Sequence, residues 1–155
     1  MEVAEILSRF ERVTGKFERE AVEAAVARRD EVIPGLLHAL EEIADPERAV
    51  QIDAEGDLMA HLYAVYLLAQ FREARAYPVL VRIAGLPGDL LDSLFGDFTA
   101  SDLGNVLASV CGGDMRGIRT IIENETADEW VRGSALQSLT ILAGTGEKRR
   151  EEVVE

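Results

Sequence analysis

The residue types that could carry chemistry are few in this 155-residue chain: His38 and His61 are its only histidines, and Cys111 is its only cysteine. Zinc sites draw on His or Cys ligands at short spacing, and neither histidine has such a neighbour. A metal site would need both histidines together with Glu55 or Asp57. The simpler interpretation is a polar tip at a helix surface for His38 and a half-buried, hydrogen-bonded imidazole for His61. We therefore expect no metal, no cofactor and no catalytic residue.

Motifs for a nucleophile or for phosphate binding give no stronger signal. Cys111 precedes two glycines at the predicted end of a helix, where the negative end of the helix dipole disfavours a reactive thiolate. We expect a small buried residue there. The run from Gly144 to Lys148 lacks the spacing of a phosphate-binding loop, so it indicates only the end of a helix.

Acidic side chains dominate the charge, with 29 Asp and Glu against 16 Lys and Arg and a formal net charge of -13. A nucleic-acid binder needs clustered cations, so we expect no nucleic-acid partner. The longest uninterrupted apolar run, Tyr63–Ala69, is much shorter than the roughly 20 residues of a membrane-spanning helix, which predicts no membrane partner. The N-terminus has acids where a signal peptide has bases, and with a single cysteine this predicts a cytoplasmic location.

Two stretches concentrate the acids. Residues 41–57 carry seven acids and one base, Arg48, whereas residues 83–115 carry five acids and no base. These acids can serve simply as helix caps and solubilising charge. As functional groups they would steer a basic protein partner toward the chain. A third alternative is a decoy that imitates nucleic acid, which requires carboxylates spaced like phosphates on one face.

The elements that must position these residues are predicted to be helices, because apolar residues recur every three or four positions and no stretch alternates. Thr99 with Asp102 resembles a capping box, and Asp128 is a further predicted cap. The predicted helical spans are 2–14, 17–29, 34–44, 57–72, 76–86, 89–95, 101–111, 115–124, 128–143 and 147–155.

Local signals mark where several of these helices begin. Pro34 fits the first turn of its helix, where the missing N–H costs nothing. Asp45 and Pro46 predict a short helical turn, followed by an acidic loop that runs to Gly56. Asp57 is then expected to cap the most apolar helix of the chain.

An internal repeat of helix pairs is the most informative pattern. Three stretches align without gaps, with Leu36, Val79 and Ile118 at equivalent positions and starts that lie 43 and 39 residues apart. The stretches are 21–44, 64–87 and 103–126. A period near 40 with two helices per unit is typical of HEAT or armadillo repeats. The alternative is an irregular helical bundle whose loops coincide by chance.

Residues 128–139 resemble the first helix of the HEAT-like repeats found in phycobilisome-lyase-type proteins, with Val-Arg and Ala-Leu pairs at the recurring positions. Residues 61–83 and 102–114 also resemble an uncharacterised bacterial domain family of unknown function. The resemblance implies a fold and no reaction. The expected fold is an all-α, right-handed α-α superhelix of HEAT-like helix pairs, about three full pairs and a partial fourth. It forms one domain over 1–155, divided into a capping helix at 1–16, pairs at 18–44, 57–87 and 101–126, and a partial pair at 128–155.

The leading functional hypothesis is a non-enzymatic scaffold that binds a protein partner. Because the chain is acidic, a basic partner is favoured. Its groove would be lined by the second helix of each pair. The candidate groove residues are His38, Glu41, Glu42, Arg82, Arg119 and Glu123, with Trp130 as an exposed anchor. The alternative is a lyase- or hydrolase-like enzyme that uses the same groove, by analogy with lyases built on HEAT-like repeats.

The C-terminal face carries a last expectation. Leu136, Leu139 and Leu142 belong to the first helix of the incomplete fourth pair, and an uncapped apolar face of a solenoid must be covered. We therefore expect either a homodimer through this face or a longer natural chain.

Overall fold

Residues 1–154 are described by a computed structural model, and all named elements in that range are helices, apart from one isolated bridge between Arg12 and Leu58. The all-helical class predicted from apolar periodicity is therefore confirmed. Contacts divide the chain into two units, Met1–Phe71 and Arg72–Glu155, called here the first and the second unit. Within residues 1–154, none of the helices combines the length and the apolar character needed to cross a bilayer.

Five helices build the first unit. They are α1 (Val3–Glu11), α2 (Arg19–Ala27), α3 (Arg29–Ala44), α4 (Pro46–Glu55) and α5 (Ala60–Gln70). α3 packs against α5, and α1 lies against α2, α3 and α5. The cause is amphipathicity, because Ile6, Phe10, Leu36, Leu40 and Leu68 present fully buried side chains at helical spacing on these elements.

The start of one helix and the length of another were predicted wrongly in the first unit. α3 begins at Arg29 rather than Pro34, so the proline lies inside the helix and removes one backbone hydrogen bond. Burial of Val32 and Ile33 beside it offsets this cost. The acidic loop expected up to Gly56 is the helix α4, in which only two residues are buried.

The capping predictions around α4 had mixed outcomes. Asp45 is the N-cap of α4, and its carboxylate accepts a hydrogen bond from the Glu47 amide at 3.1 Å. Asp57 does not cap α5, which begins after Met59 without a side-chain cap. The Asp57 carboxylate instead accepts hydrogen bonds from Arg12, a residue that is distant in the sequence.

Seven helices build the described part of the second unit. They are α6 (Ala76–Ala84), α7 (Gly88–Phe95), α8 (Phe98–Ser101), α9 (Leu103–Val110), α10 (Arg116–Glu123), α11 (Glu129–Gly144) and α12 (Arg150–Val154). α11 is central, since it packs against α8, α9, α10 and α12. The predicted cap Asp128 is confirmed, because its carboxylate accepts from the amides of Trp130 and Val131. Glu155, the end of the predicted last helix, lies outside the described residues.

Small residues let α9 and α11 cross closely. A Cβ added to Gly104 would lie 2.9 Å from the Ser134 carbonyl oxygen, so only glycine fits this crossing. The Ser134 hydroxyl donates to the Thr99 carbonyl. Thr99 is itself buried inside α8, so the capping box predicted from Thr99 and Asp102 is wrong.

The repeat prediction is supported only at the level of helices. The predicted pair 57–87 is divided, with α5 in the first unit and α6 in the second. Within the second unit, α6 packs against α10 and α9 packs against α11. The HEAT-like superhelix therefore stays a prediction.

Candidate functional site

A cleft of about 420 Å³ opens among the helices of the first unit. His38 and Glu42, one turn apart, come from one face of α3, and Arg48 and Glu55, two turns apart, come from one face of α4. Glu11, the last residue of α1, completes the charged lining. The cleft therefore follows from three amphipathic helices that turn partly polar faces toward the same space.

A short charged network runs along the wall made by α3 and α4. The Glu42 carboxylate accepts a hydrogen bond from the Arg48 Nε at 3.2 Å, and the His38 Nε2 lies 3.9 Å from the same oxygen. Arg48 also donates to the Gln51 side chain at 3.4 Å. Glu42 is thus held by a cation, whereas the His38 side chain is 73% exposed and marks the rim.

Another part of the lining comes from residues 11–13 and 57–59, a pair of segments called here the clasp. The Arg12 guanidinium donates to both oxygens of Asp57, at 2.9 and 2.7 Å, and lies 3.6 Å from Glu55. The hydrogen bond to Asp57 raises the pKa of Arg12 above its ordinary value. Two backbone hydrogen bonds, from Val13 to Asp57 and from Met59 to Glu11, complete the clasp.

The floor of the cleft is mainly apolar. Leu7, Phe10, Leu36 and Leu58 line it, and His61 from α5 is the polar exception at 3% exposure. His61 is more deeply buried than the half-buried imidazole that was predicted. Within residues 1–154, no three His, Cys, Asp or Glu side chains form a group that could hold a metal ion. The arrangement thus offers charge and an apolar surface rather than a ligand shell.

The structure separates the predicted groove residues into two sets. His38 and Glu42 line the cleft of the first unit, and Glu41 is exposed beside them on α3. The remaining four lie in the second unit: Arg82 on α6, Arg119 and Glu123 on α10, and Trp130 on α11. Their role in a groove stays a prediction.

These four residues differ in the contacts that they make within the second unit. Arg119 is half-buried and donates to the Glu152 carbonyl at 3.0 Å, so it has a structural partner. Arg82 and Glu123 are exposed, and Trp130 is 62% exposed as predicted for an anchor. The Arg132 guanidinium donates to the Ile122 carbonyl at 2.9 Å, so Arg132 also has a partner within the second unit.

Other chemistry-bearing residues of the second unit make contacts within that unit. Cys111 is buried at the end of α9 as expected, and its thiol donates to the Ala108 carbonyl at 3.6 Å. The Tyr77 hydroxyl accepts from the Ile118 amide at 3.0 Å, and burial raises its pKa. The Arg116 guanidinium lowers the pKa of Asp114 to about 2 through hydrogen bonds.

The predicted homodimer stays a prediction, although the face it needs is smaller than expected. Leu139 and Leu142 are buried within the second unit, whereas Leu136 is 54% exposed. Light scattering on the purified chain and on the Leu136→Lys variant tests it, and a mass that the substitution halves is the expected result.

Sequence reasoning missed much of the cleft. Glu11 and Arg12 were predicted only as part of the capping helix at 1–16, and Arg48 fell in a stretch predicted as a short turn and an acidic loop. The available signal was Arg48 itself, the single base within the acidic stretch, seven residues before Glu55. That spacing places both on one face of a helix, which the loop interpretation ignored.

The fold and the site together define an all-helical protein with a charged cleft over an apolar floor. The chain belongs to the family described as "Protein of unknown function (DUF1186)", whose model matches residues 1–155. It is 36% identical to an uncharacterized protein of Chlamydia trachomatis over 99% of this chain, and 38% identical to one of Chlamydia muridarum over 93%. The chain spans 60% and 57% of the lengths of these relatives. No solved structure matches the chain significantly.

Proposed function

We propose that this chain is a helical binding module whose cleft in the first unit holds a basic segment of a protein partner. One observation carries the proposal. Glu11, Glu42 and Glu55 line the cleft against Arg12 and Arg48, so carboxylates outnumber cations around an apolar floor. A segment that combines basic and apolar side chains complements both features.

Among the described residues, Glu11 is the cleft carboxylate that forms no salt bridge. Glu42 has Arg48 and Glu55 has Arg12, whereas Glu11 has no salt bridge among residues 1–154. A cation from a partner can therefore pair with Glu11 without displacing an existing ion pair. The free-energy cost of breaking an ion pair that already lines the cleft is thereby avoided.

The charge of the first unit favours the same partner over a longer range. Residues 1–71 carry 15 acidic and 7 basic side chains. Such a surplus raises the rate at which a basic segment reaches the cleft, and salt weakens the effect.

The enzyme alternative, a lyase- or hydrolase-like activity in the same cleft, rests on the two histidines. His61 is buried in the floor and His38 lies on the rim, so the cleft has one buried and one exposed imidazole. Substrate turnover that His61→Gln abolishes while the helical circular dichroism spectrum stays unchanged would favour this alternative over the binding module.

The packing within the second unit supports a HEAT-like order of helices as a further part of the proposal. In stacked repeats each helix lies against its counterpart in the next repeat. α9 against α11 and α6 against α10 follow that rule. A crystal structure in which equivalent helices superpose by one constant screw operation is the expected result.

The test of the binding module uses fluorescence anisotropy with two labelled peptides of equal length, one that combines Arg and Leu and one in which Glu replaces Arg. We expect the basic peptide to bind more tightly, with an affinity that falls as salt rises. Glu11→Lys should weaken it about tenfold. Glu23→Lys is the control, because Glu23 is exposed in the first unit and does not line the cleft. Equal binding of both peptides, or equal effects of the two substitutions, would contradict the proposal.

A further inference from the structure

A second opening in the first unit is almost entirely apolar. It is an open groove of about 350 Å³ between α2 and α5, lined by Phe17, Val22, Met59, Tyr63 and Tyr66 among others. The Phe17 side chain is 67% exposed and Tyr66 is 46% exposed. Contiguous exposed apolar side chains of this kind mark sites where another molecule packs.

The shape of the groove is set by stacked aromatic rings. Phe10 stacks on Tyr63 with ring centroids 4.4 Å apart, and Phe17 also stacks on Tyr63, with centroids 6.0 Å apart. The Tyr63 hydroxyl accepts a hydrogen bond from the Glu18 amide at 3.2 Å, which holds the chain next to Phe17. Phe17 is thus kept at the groove although it contributes little to the core.

Two of the bases that lie close to the groove residues in the sequence have no carboxylate partner among the described residues. Four of the seven bases in residues 1–71 form salt bridges to carboxylates. A fifth, Arg29, donates to the Phe71 carbonyl and lies over the Phe71 ring. Lys16 and Arg19 are the remaining two, and neither side chain has a salt bridge or a hydrogen bond within the described residues.

Both of these unpaired bases flank Phe17. Lys16 precedes it directly, and Arg19 lies one helical turn before Val22 on α2, so Arg19 and Val22 share a face. In a chain whose acids outnumber its bases, two cations left without carboxylates beside an exposed apolar groove are complementary to an acidic ligand.

We infer that this groove docks an amphipathic helix of a partner protein, with the apolar face on Phe17, Met59 and Tyr66 and with acidic residues of the helix beside Lys16 and Arg19. A helix fits better than a small apolar molecule, because small-molecule sites enclose most of their ligand, whereas this groove is open along α5. The inference does not rest on the proposed function, since Glu11 does not line the groove.

The probe is a fluorescein-labelled peptide of about 18 residues, with Leu at the first, fourth, fifth and eighth positions of its apolar face and Glu on both flanks. A second peptide carries Lys in place of each Glu. We expect the acidic peptide to bind at least about tenfold more tightly in anisotropy titrations. Equal or tighter binding of the Lys peptide, or no binding of either peptide, would overturn the inference.

Two pairs of variants locate the binding. Arg19→Glu should weaken the acidic peptide about tenfold, whereas Arg150→Glu should not, although each arginine is the first residue of a helix. Phe17→Ser should weaken it by a similar factor, whereas Val50→Ser, at a residue 57% exposed in the first unit, should leave it unchanged. Unchanged thermal unfolding of the four variants confirms that each is folded.

The same experiments can reveal two other occupants of the groove. If decanoate displaces the peptide while Phe17→Ser does not affect peptide binding, the groove takes a carboxylate amphiphile and the helix is refuted. If light scattering shows a dimer that Phe17→Ser converts to a monomer, a second copy of the chain covers the groove and the inference fails.

Discussion

Each of the two units has a tyrosine whose hydroxyl accepts a hydrogen bond from a distant backbone amide, but the two units differ in the size of their cavities. The Tyr63 hydroxyl in the first unit and the Tyr77 hydroxyl in the second each accept a backbone N–H from the start of a helix more than 40 residues away in the sequence. The first unit nevertheless has openings of about 420 and 350 Å³, whereas cavities found in the second unit measure about 30 and 10 Å³. The same tyrosine contact therefore accompanies open clefts in one unit and a closely packed interior in the other.

The largest expected effect comes from truncating a leucine in the closely packed unit. Leu107→Ala should reduce the free energy of unfolding by about 3–5 kcal/mol, because Leu107 is fully buried and leaves a cavity. Leu7→Ala should cost about 1 kcal/mol, because Leu7 is partly exposed and already borders the cleft. Urea denaturation monitored by circular dichroism measures both. Similar costs for the two substitutions would remove the contrast between the units.

The two tyrosines provide the next comparison. Tyr77→Phe leaves the Ile118 amide without its acceptor in a buried position and should cost about 1–3 kcal/mol. Tyr63→Phe should cost less than about 1 kcal/mol, because water can reach the half-buried Glu18 amide. Thermal unfolding of both variants tests the order. A larger loss for Tyr63→Phe would show that the first unit depends on its tyrosine more than its openings indicate.

The ion pairs of the two units should differ in how far along the chain their removal changes hydrogen exchange, rather than in their strength. Arg12→Gln removes the pairing with Asp57 and should speed hydrogen exchange at the Val13 and Met59 amides, which belong to the clasp. Arg116→Gln removes a pairing between sequence neighbours, so exchange should change only beside residue 116. Hydrogen–deuterium exchange with mass spectrometry measures both, and protection of Val13 and Met59 that Arg12→Gln leaves unchanged would contradict this expectation.

The smallest effect is the titration of Asp114. Its pKa is lowered from 3.8 to about 2, so the folded state favours the charged carboxylate. The resulting stabilisation is present above pH 4 and is lost as the pH falls toward about 2. Carbon-detected NMR should place the midpoint near 2 in the chain and nearer the ordinary value in Arg116→Gln. An identical midpoint in both would show that Arg116 does not cause the shift.

Sequence periodicity predicted the helices wherever a helix buries enough apolar residues. α10 was predicted at 115–124 from Ile118 and Ile121, and both side chains are buried there. α4 was predicted only as a short turn because Ala49 and Ile52 are its only buried residues, and two positions do not establish a period. Pro34 led to a wrong start for α3 because a proline inside a helix is rare. The burial of its neighbours explains why the helix tolerates the proline.

The candidate site was predictable where one helix face was enough to define it. His38 and Glu42 were selected by their position on α3, and both line the cleft. Arg12 could not be selected, because its pairing with Asp57 depends on a contact across 45 residues that no local pattern reveals. The lack of partners for Lys16 and Arg19 could not be predicted either, because it depends on which carboxylates pair with the other bases in the folded chain.

We expect the clasp also to affect the folding kinetics of the first unit. The Arg12–Asp57 and Glu18–Tyr63 hydrogen bonds both span 45 residues, and they enclose nearly the same segment. The entropy of closing this loop is lost once for the two contacts, so the second forms at little further entropic cost. We therefore expect α3 and α4, which are neighbours in sequence, to associate first and the clasp to form late and cooperatively with the tyrosine contact.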